Sequence, residues 1–261
     1  MRILTLAAML FIIGCNTSDK KENATMPGAY KMLSQNVKSE KRDTTYTSIQ
    51  QLKIYTDDYM MYANVNPSDS VSSFGIGSYI SDKDTVTETV IYNASDSSKS
   101  DSSASFKLSI EKTAKGYKQV IPDIPSQGQH IKLTEEYESV GTATKTPLDG
   151  AWKQTKSTYF SGKDTTVYKG TQFKTYFAGY VIWGQTYSDS ANKTHTAIGF
   201  GKFEMNGNNK VKETMMASSS YQVRGHDFDL DIQMNGADAF TQTITNKDGS
   251  KAVESYERLK K

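Results

Sequence analysis

Gln51-Leu52-Lys53-Ile54-Tyr55 and Gln172-Phe173-Lys174-Thr175-Tyr176 are near copies of one segment, and the residues around them are copied as well. Upstream, Gly28-Ala29-Tyr30-Lys31 matches Gly150-Ala151-Trp152-Lys153, and Asp43-Thr44-Thr45 matches Asp164-Thr165-Thr166. Downstream, Tyr59-Met60-Met61-Tyr62 pairs with Tyr180-Val181-Ile182-Trp183, and Gly75-Ile76-Gly77-Ser78-Tyr79 with Gly199-Phe200-Gly201-Lys202-Phe203. Glu88-Thr89 then answers Glu213-Thr214, and Phe106-x-Leu108-x-Ile110 answers Phe228-x-Leu230-x-Ile232. Glu135-x-Tyr137-Glu138 closes the series against Glu254-x-Tyr256-Glu257. The paired blocks keep one order, and each lies 119 to 125 residues from its copy. Chance supplies a block or two of this kind but not an ordered set, so the chain is a tandem duplication.

The halves run over 26–140 and 148–261, joined by a small-residue linker, 141–147, that ends in Pro147. Phe106, Leu108 and Ile110 alternate with polar residues, as do Phe228, Leu230 and Ile232, which is the period of a half-buried strand. Thr56-Asp57-Asp58 and Ala178-Gly179 interrupt strand-like runs and read as hairpin turns. Ser95–Ser105, nearly all Ser, Asp and Lys, reads as a solvated loop, replaced in the second half by Ser218–Gly225. No segment carries a sustained helical stripe. Each half has room for about eight short strands, and an antiparallel sheet of that size avoids exposed edges best by closing into a barrel. The expected fold is all-β, two tandem antiparallel barrels.

Composition narrows the function. The 261 residues carry 31 basic and 29 acidic side chains, a net charge of +2, which does not support nucleic-acid binding. A single cysteine excludes an intramolecular disulfide, and three histidines, His130, His195 and His226, sit at no metal-ligand spacing and read as surface residues. No metal or cofactor is expected. The N-terminus has the form of an export signal: Arg2, an apolar run from Ile3 to Ile13, then Ile12-Ile13-Gly14-Cys15. The run is too short to cross a bilayer as a helix and has the length of a signal-peptide core.

Ile12–Cys15 resembles a bacterial lipobox, which implies a lipoprotein signal peptide over 1–14, lipidation of Cys15 and membrane anchoring through that lipid, palmitate included. Residues 15–25 then form a polar tether. Asn16 after the cysteine resembles an outer-membrane sorting signal, and the Ser-Asp-Lys-Lys-Glu stretch is similar to surface-export signals of Bacteroidetes lipoproteins. The mature chain resembles the small lipocalin-like domains of such lipoproteins. The resemblance is carried by Gly-x-Trp-Lys at Gly150–Lys153, Lys-x-Tyr-turn-Tyr-x-x-Trp, Gly-x-Gly-x-aromatic, and the terminal Glu-x-Tyr-x-Arg. In lipocalins a late arginine lies over the opening tryptophan and closes one barrel end. The resemblance assigns that role to Trp152 and Arg258; the first half has Tyr30 and Ser139 there instead.

Strand alternation puts several polar residues on apolar faces. Glu88 shares a face with Val86, Val90 and Tyr92, and Glu213 with Val211 and Met215. Glu254, Tyr256 and Arg258 share one face of the last strand, and Glu135 and Tyr137 repeat part of that set. A carboxylate so placed must be paired, hydrogen-bonded or protonated. Arg258 is the candidate partner in the second half, whereas the two glutamates of the first half have no cation at the equivalent position and are expected to be more solvated or hydrogen-bonded to hydroxyls. These residues either anchor a ligand inside a cavity or knit the barrel end. The aromatic set Tyr55, Tyr59, Tyr62, Tyr176, Tyr180 and Trp183 either lines a cavity mouth or packs the core. Gly75-Ile76-Gly77 and Gly199-Phe200-Gly201 mark a bend or bulge. The expected function is a non-catalytic, lipid-anchored outer-membrane protein that binds a small apolar ligand, the second barrel being the better closed and the better ligand holder. The alternative is an interaction or inhibitor module with filled barrels and an envelope-protein partner. No nucleophile–base arrangement can be read, so no enzyme activity is expected.

Overall fold

The computed structural model describes residues 26–65, 72–95, 98–126, 128–142 and 144–261. The apolar leader, Cys15 and the tether lie outside the described residues. Alternating β-branched, aromatic and polar residues make strands throughout, and no helix occurs among the described residues.

The first half contains β1 (Gly28–Ser39), β2 (Arg42–Tyr46), β3 (Gln50–Tyr55), β4 (Tyr59–Val65) and β5 (Ser72–Asp82). It continues with β6 (Thr85–Ser95), β7 (Ser98–Ser100), β8 (Ala104–Lys112), β9 (Gly116–Ser126) and β10 (Gln129–Ser139). The second contains β11 (Gly150–Ser161), β12 (Asp164–Val167), β13 (Gly170–Phe177), β14 (Tyr180–Ser188) and β15 (Thr194–Asn206). It ends with β16 (Lys210–Ser218), β17 (Asp227–Met234), β18 (Ala239–Thr245) and β19 (Lys251–Arg258). In the first half β1, β3, β4, β5, β6, β8, β9 and β10 pair in chain order, and β10 pairs back onto β1. In the second half β11 and β13 to β19 do the same, closed by β11 with β19. The result is two closed eight-stranded antiparallel up-and-down barrels, as the duplication and alternation predict.

Three short strands extend the barrels: β2 on β1, β12 on β11, and β7 on β6. The last is a correction, because Ser95–Ser105 is not all loop: Asn93–Ser95 pairs with Ser98–Ser100. The predicted turns join β3 to β4 and β13 to β14, the latter with Ala178 at φ 54° and Gly179 at φ 80°. Both Gly-x-Gly segments are bulges, with register shifts between Ile76 and Gly77 and between Phe200 and Gly201. At each bulge the glycine meets the next strand: a Cβ on Gly77 would lie 2.1 Å from the Thr89 carbonyl oxygen, and one on Gly201 2.0 Å from that of Thr214.

The first bulge overturns one face assignment. Val90 pairs with Gly77 and Tyr92 with Ile76, so one extra residue, Ile91, intervenes. Val90 packs inside the barrel, but Tyr92 leaves the face of Glu88 and packs outside.

Outside means against the other barrel. Leu52, Ile54, Met61, Phe74 and Ile76 of the first half form one core with Phe173, Ile182, Ile198 and Phe200 of the second. Gly184 lets the Phe74 ring approach, since a Cβ there would come within 2.5 Å of it. Tyr92 and Thr186 hydrogen-bond at 2.5 Å through their hydroxyls across this seam. Strands β3, β4, β13 and β14 are thus buried on both faces, whereas β17 turns exposed Asp227, Asp229 and Asp231 outward. A lipid-facing barrel presents an apolar band there; this one presents carboxylates.

Candidate functional site: a duplicated polar chain at the floor of each barrel cavity

Inside each barrel one end is packed with aromatic rings and the other holds a cavity. In barrel 1 the rings of Tyr30 and Tyr117 meet edge-on at 4.9 Å, and those of Tyr55 and Tyr79 do the same. In barrel 2 Trp152 meets Phe240 at 4.8 Å and Tyr176 meets Phe203 at 4.9 Å. Arg258 lies over Trp152, its Cζ 4.0 Å from the ring centroid. Its guanidinium donates to the carbonyls of Asp149 (2.6 Å), Ala237 (3.0 Å) and Pro147 (3.2 Å), which ties the linker and the β17–β18 turn to the barrel end. Gly150, at φ 142°, makes room, because a Cβ would sit 2.0 Å from an Arg258 nitrogen. Burial lowers the guanidinium pKa.

Between rings and cavity lies a chain of polar side chains, present twice. In barrel 1 the Lys53 ammonium is 2.6 Å from Glu88, and the Tyr55 hydroxyl donates to the same oxygen. Lys53 also donates to Gln119 (3.3 Å), whose amide donates to Glu135 (2.5 Å). Tyr137 donates to Glu135 (2.9 Å), and Gln51 donates to the Tyr137 hydroxyl (2.5 Å). In barrel 2 Lys174 bonds Glu213 (2.8 Å) and Gln242 (3.0 Å), and Tyr176 donates to Glu213. Gln242 donates to Glu254 (2.7 Å), Tyr256 to Glu254 (2.5 Å), and Gln172 to Tyr256 (2.5 Å). Lys53, Glu88, Gln119 and Glu135 are at most 5% exposed, and Lys174, Glu213 and Gln242 at most 4%.

Alternation explains the placement. On β3, Leu52 and Ile54 point to the other barrel, so Gln51, Lys53 and Tyr55 point inward; β13 repeats this with Phe173 and Thr175 out and Gln172, Lys174 and Tyr176 in. Burial without water forces every charge to find a partner. Burial pushes the Glu135 carboxyl above the ordinary glutamate range despite the bonds it accepts, and raises the hydroxyls of Tyr55, Tyr137, Tyr176 and Tyr256 well above 10. Tyr62 is pushed up to about 12, first by burial.

The cavities stand on these floors. That of barrel 1 measures about 310 Å³, with Val90, Phe106, Ile121, Ile124 and Leu133 as apolar wall and Tyr62 and Asn64 beside them. That of barrel 2 measures about 190 Å³, walled by Trp183, Met215, Phe228 and Ile244 and narrowed by Val223 from the β16–β17 loop.

Several expectations change. Arg258 does not serve the interior carboxylates; it closes the opposite end, and Lys174 is the cation beside Glu213. The first-half glutamates do accept hydroxyls, Glu88 from Tyr55 and Glu135 from Tyr137, but Glu88 also has a cation of its own, Lys53. At the closed end of the first half, in place of the tryptophan–arginine pair, Tyr30 pairs with Ser139 in register and packs on Tyr55 and Tyr117. The aromatic set splits three ways. Tyr55 and Tyr176 sit in the polar chain, Tyr62 and Trp183 line the cavities, and Tyr59 and Tyr180 belong to the seam between barrels. The barrels are not filled throughout, and the larger cavity lies in the first half, not the second. His130 is exposed beside Asp123, and His195 contacts Asp189 at 2.7 Å. Sequence alone did not single out the two lysines or the glutamines Gln51, Gln119, Gln172 and Gln242, although Lys53 and Lys174 stand in the best-matched block, on the inward register of Tyr55 and Tyr176.

No family model matches the chain, and no curated protein matches it. A crystal structure of a Bacteroides fragilis NCTC 9343 protein, provisionally described as an outer membrane protein, is similar over 89% of this chain and 98% of its own length. The two share 11% identity with a TM-score of 0.27, a likeness that fixes neither fold nor function.

Proposed function

We propose that the chain is a lipid-anchored protein of the bacterial outer membrane, with two lipocalin-like barrels that bind a small molecule and carry out no chemistry on it. One observation carries the binding: the same polar chain faces a cavity in both barrels, while the other end of each is packed shut. A few fixed polar groups beneath an apolar wall orient a ligand that has an apolar body and a polar head. This gives the small apolar ligand a polar head, and the larger volume makes barrel 1 the principal site. Native mass spectrometry of the full chain, extracted from its membrane, tests it: a small molecule released on denaturation is expected, and a chain that stays empty against a panel of small amphiphiles overturns it. The anchoring rests on the lipobox-like Ile12–Cys15. Cys15→Ala is expected to block processing or to release the protein from the membrane fraction; unchanged membrane association would exclude a lipid anchor.

Exposed apolar side chains favour a second reading, a protein-interaction module. Val167 is 59% exposed, Tyr168 54% and Tyr221 88%, and all three belong to the cavity end of barrel 2. Enrichment of one envelope protein by the wild type, lost on Tyr168→Ser with Tyr221→Ser, would support it.

A further inference from the structure

The cavity of barrel 1 holds two carboxylates, Glu88 and Glu135, and one ammonium, Lys53. Lys53 is committed to Glu88 at 2.6 Å. Glu135 is held by Gln35 (2.7 Å), Gln119 (2.5 Å) and Tyr137 (2.9 Å), all of them neutral donors. These bonds orient the carboxylate, but none supplies the balancing charge, so the ionised site carries one net negative charge under an apolar wall. A second acceptor lies in the same cavity: the Asn64 Oδ1 atom is buried and has no hydrogen-bond partner among the described residues. An anionic ligand would meet two carboxylates at short range in a medium of low polarity, where like charges repel strongly. A ligand that brings donors and a positive charge meets what the site lacks. Among the described residues no group of three or more His, Cys, Asp or Glu side chains is placed to hold a metal ion. The apolar wall of Val90, Phe106, Ile121, Ile124 and Leu133 beside these acceptors suits a cation that carries an apolar body, an organic one.

We propose that the barrel 1 cavity is a site for a small amine: an ammonium head against Glu135, with Asn64 as a further acceptor, and an apolar body against Val90, Phe106 and Ile121. The proposal rests on the cavity-binding reading above and names its ligand class.

Isothermal titration of the full chain with hexylammonium, hexanol and hexanoate tests it. Hexylammonium is expected to bind about tenfold or more tighter than hexanol, with hexanoate weakest. Glu135→Gln, which keeps the shape and removes the charge, is expected to abolish the preference for the amine over hexanol. Asp229→Asn, on the exposed outer face of barrel 2, should leave the preference intact. Hexanoate binding as tightly as hexylammonium, or an amine preference that survives Glu135→Gln, overturns the cation site while leaving the cavity reading standing. Failure of all three probes to bind overturns both. The ranking in the unmodified chain tests the charge without depending on whether any variant folds.

Discussion

Lys53 and Lys174 are each flanked by residues that point into the seam between the barrels, and each is itself buried against a glutamate. Such a pair costs much of its attraction in lost hydration, and breaking it leaves the remaining charge stranded. Lys53→Met is expected to destabilise the protein by about 3–5 kcal/mol in urea titration, and adding Glu88→Gln should recover a substantial part of that loss. Two variants with simply additive losses would show that the pair is not coupled. Glu135 makes a pH prediction. Burial raises its pKa from 4.5, so the folded state holds this proton more tightly than the unfolded chain does. Its contribution is fully present below the unfolded value and is lost as pH rises through the raised folded value. Stability measured across that window should fall with pH in the wild type and fall less in Glu135→Gln. A profile that is the same in both proteins would contradict the assignment.

At the scale of the element, the two bulges decide which face each side chain takes. Gly77 and Gly201 let β5 and β15 press onto the backbones of β6 and β16, and a methyl group at either position meets a carbonyl oxygen at about 2 Å. Gly77→Ala and Gly201→Ala are each expected to cost about 1–3 kcal/mol by thermal unfolding, whereas Lys107→Ala, at an exposed position of β8, should cost less. Equal losses at the three sites would mean that the close approach at the bulges is unimportant. The strand end at Arg258 is a second case, where one side chain collects three carbonyls and an indole face. Arg258→Ala should lower stability by about 1–3 kcal/mol. It should leave amine binding in barrel 1 unchanged, because it acts at the closed end of the other barrel.

At the scale of the molecule, the duplication has produced a pair rather than a string of two beads. The seam core draws Leu52, Ile54, Met61 and Phe74 from one half and Phe173, Ile182 and Phe200 from the other. A cut through the linker would expose that surface on both halves. The barrels are therefore expected to melt in one calorimetric transition, and Ile182→Asp, which places a carboxylate at a fully buried seam position, should split it in two. Two transitions already present in the wild type would show that the seam does not couple the halves.

The duplication, the strand class and the barrel closure were all legible in the chain, because hydrophobic alternation and turn residues are local signals and a repeat doubles each of them. The interior glutamates were legible for the same reason, as polar exceptions on apolar faces. What lay beyond local reading was the sidedness of β3 and β13. Gln-Leu-Lys-Ile-Tyr alternates, but alternation does not say which set faces inward, and the ordinary rule would bury Leu52 and Ile54 inside and leave Lys53 in water. Only the docking of one barrel on the other gives the leucine and isoleucine an apolar place outside the barrel, and so frees the inner face for lysine, glutamine and glutamate. The partner of each buried charge followed from that choice, which is why Arg258 looked like the cation and Lys174 is.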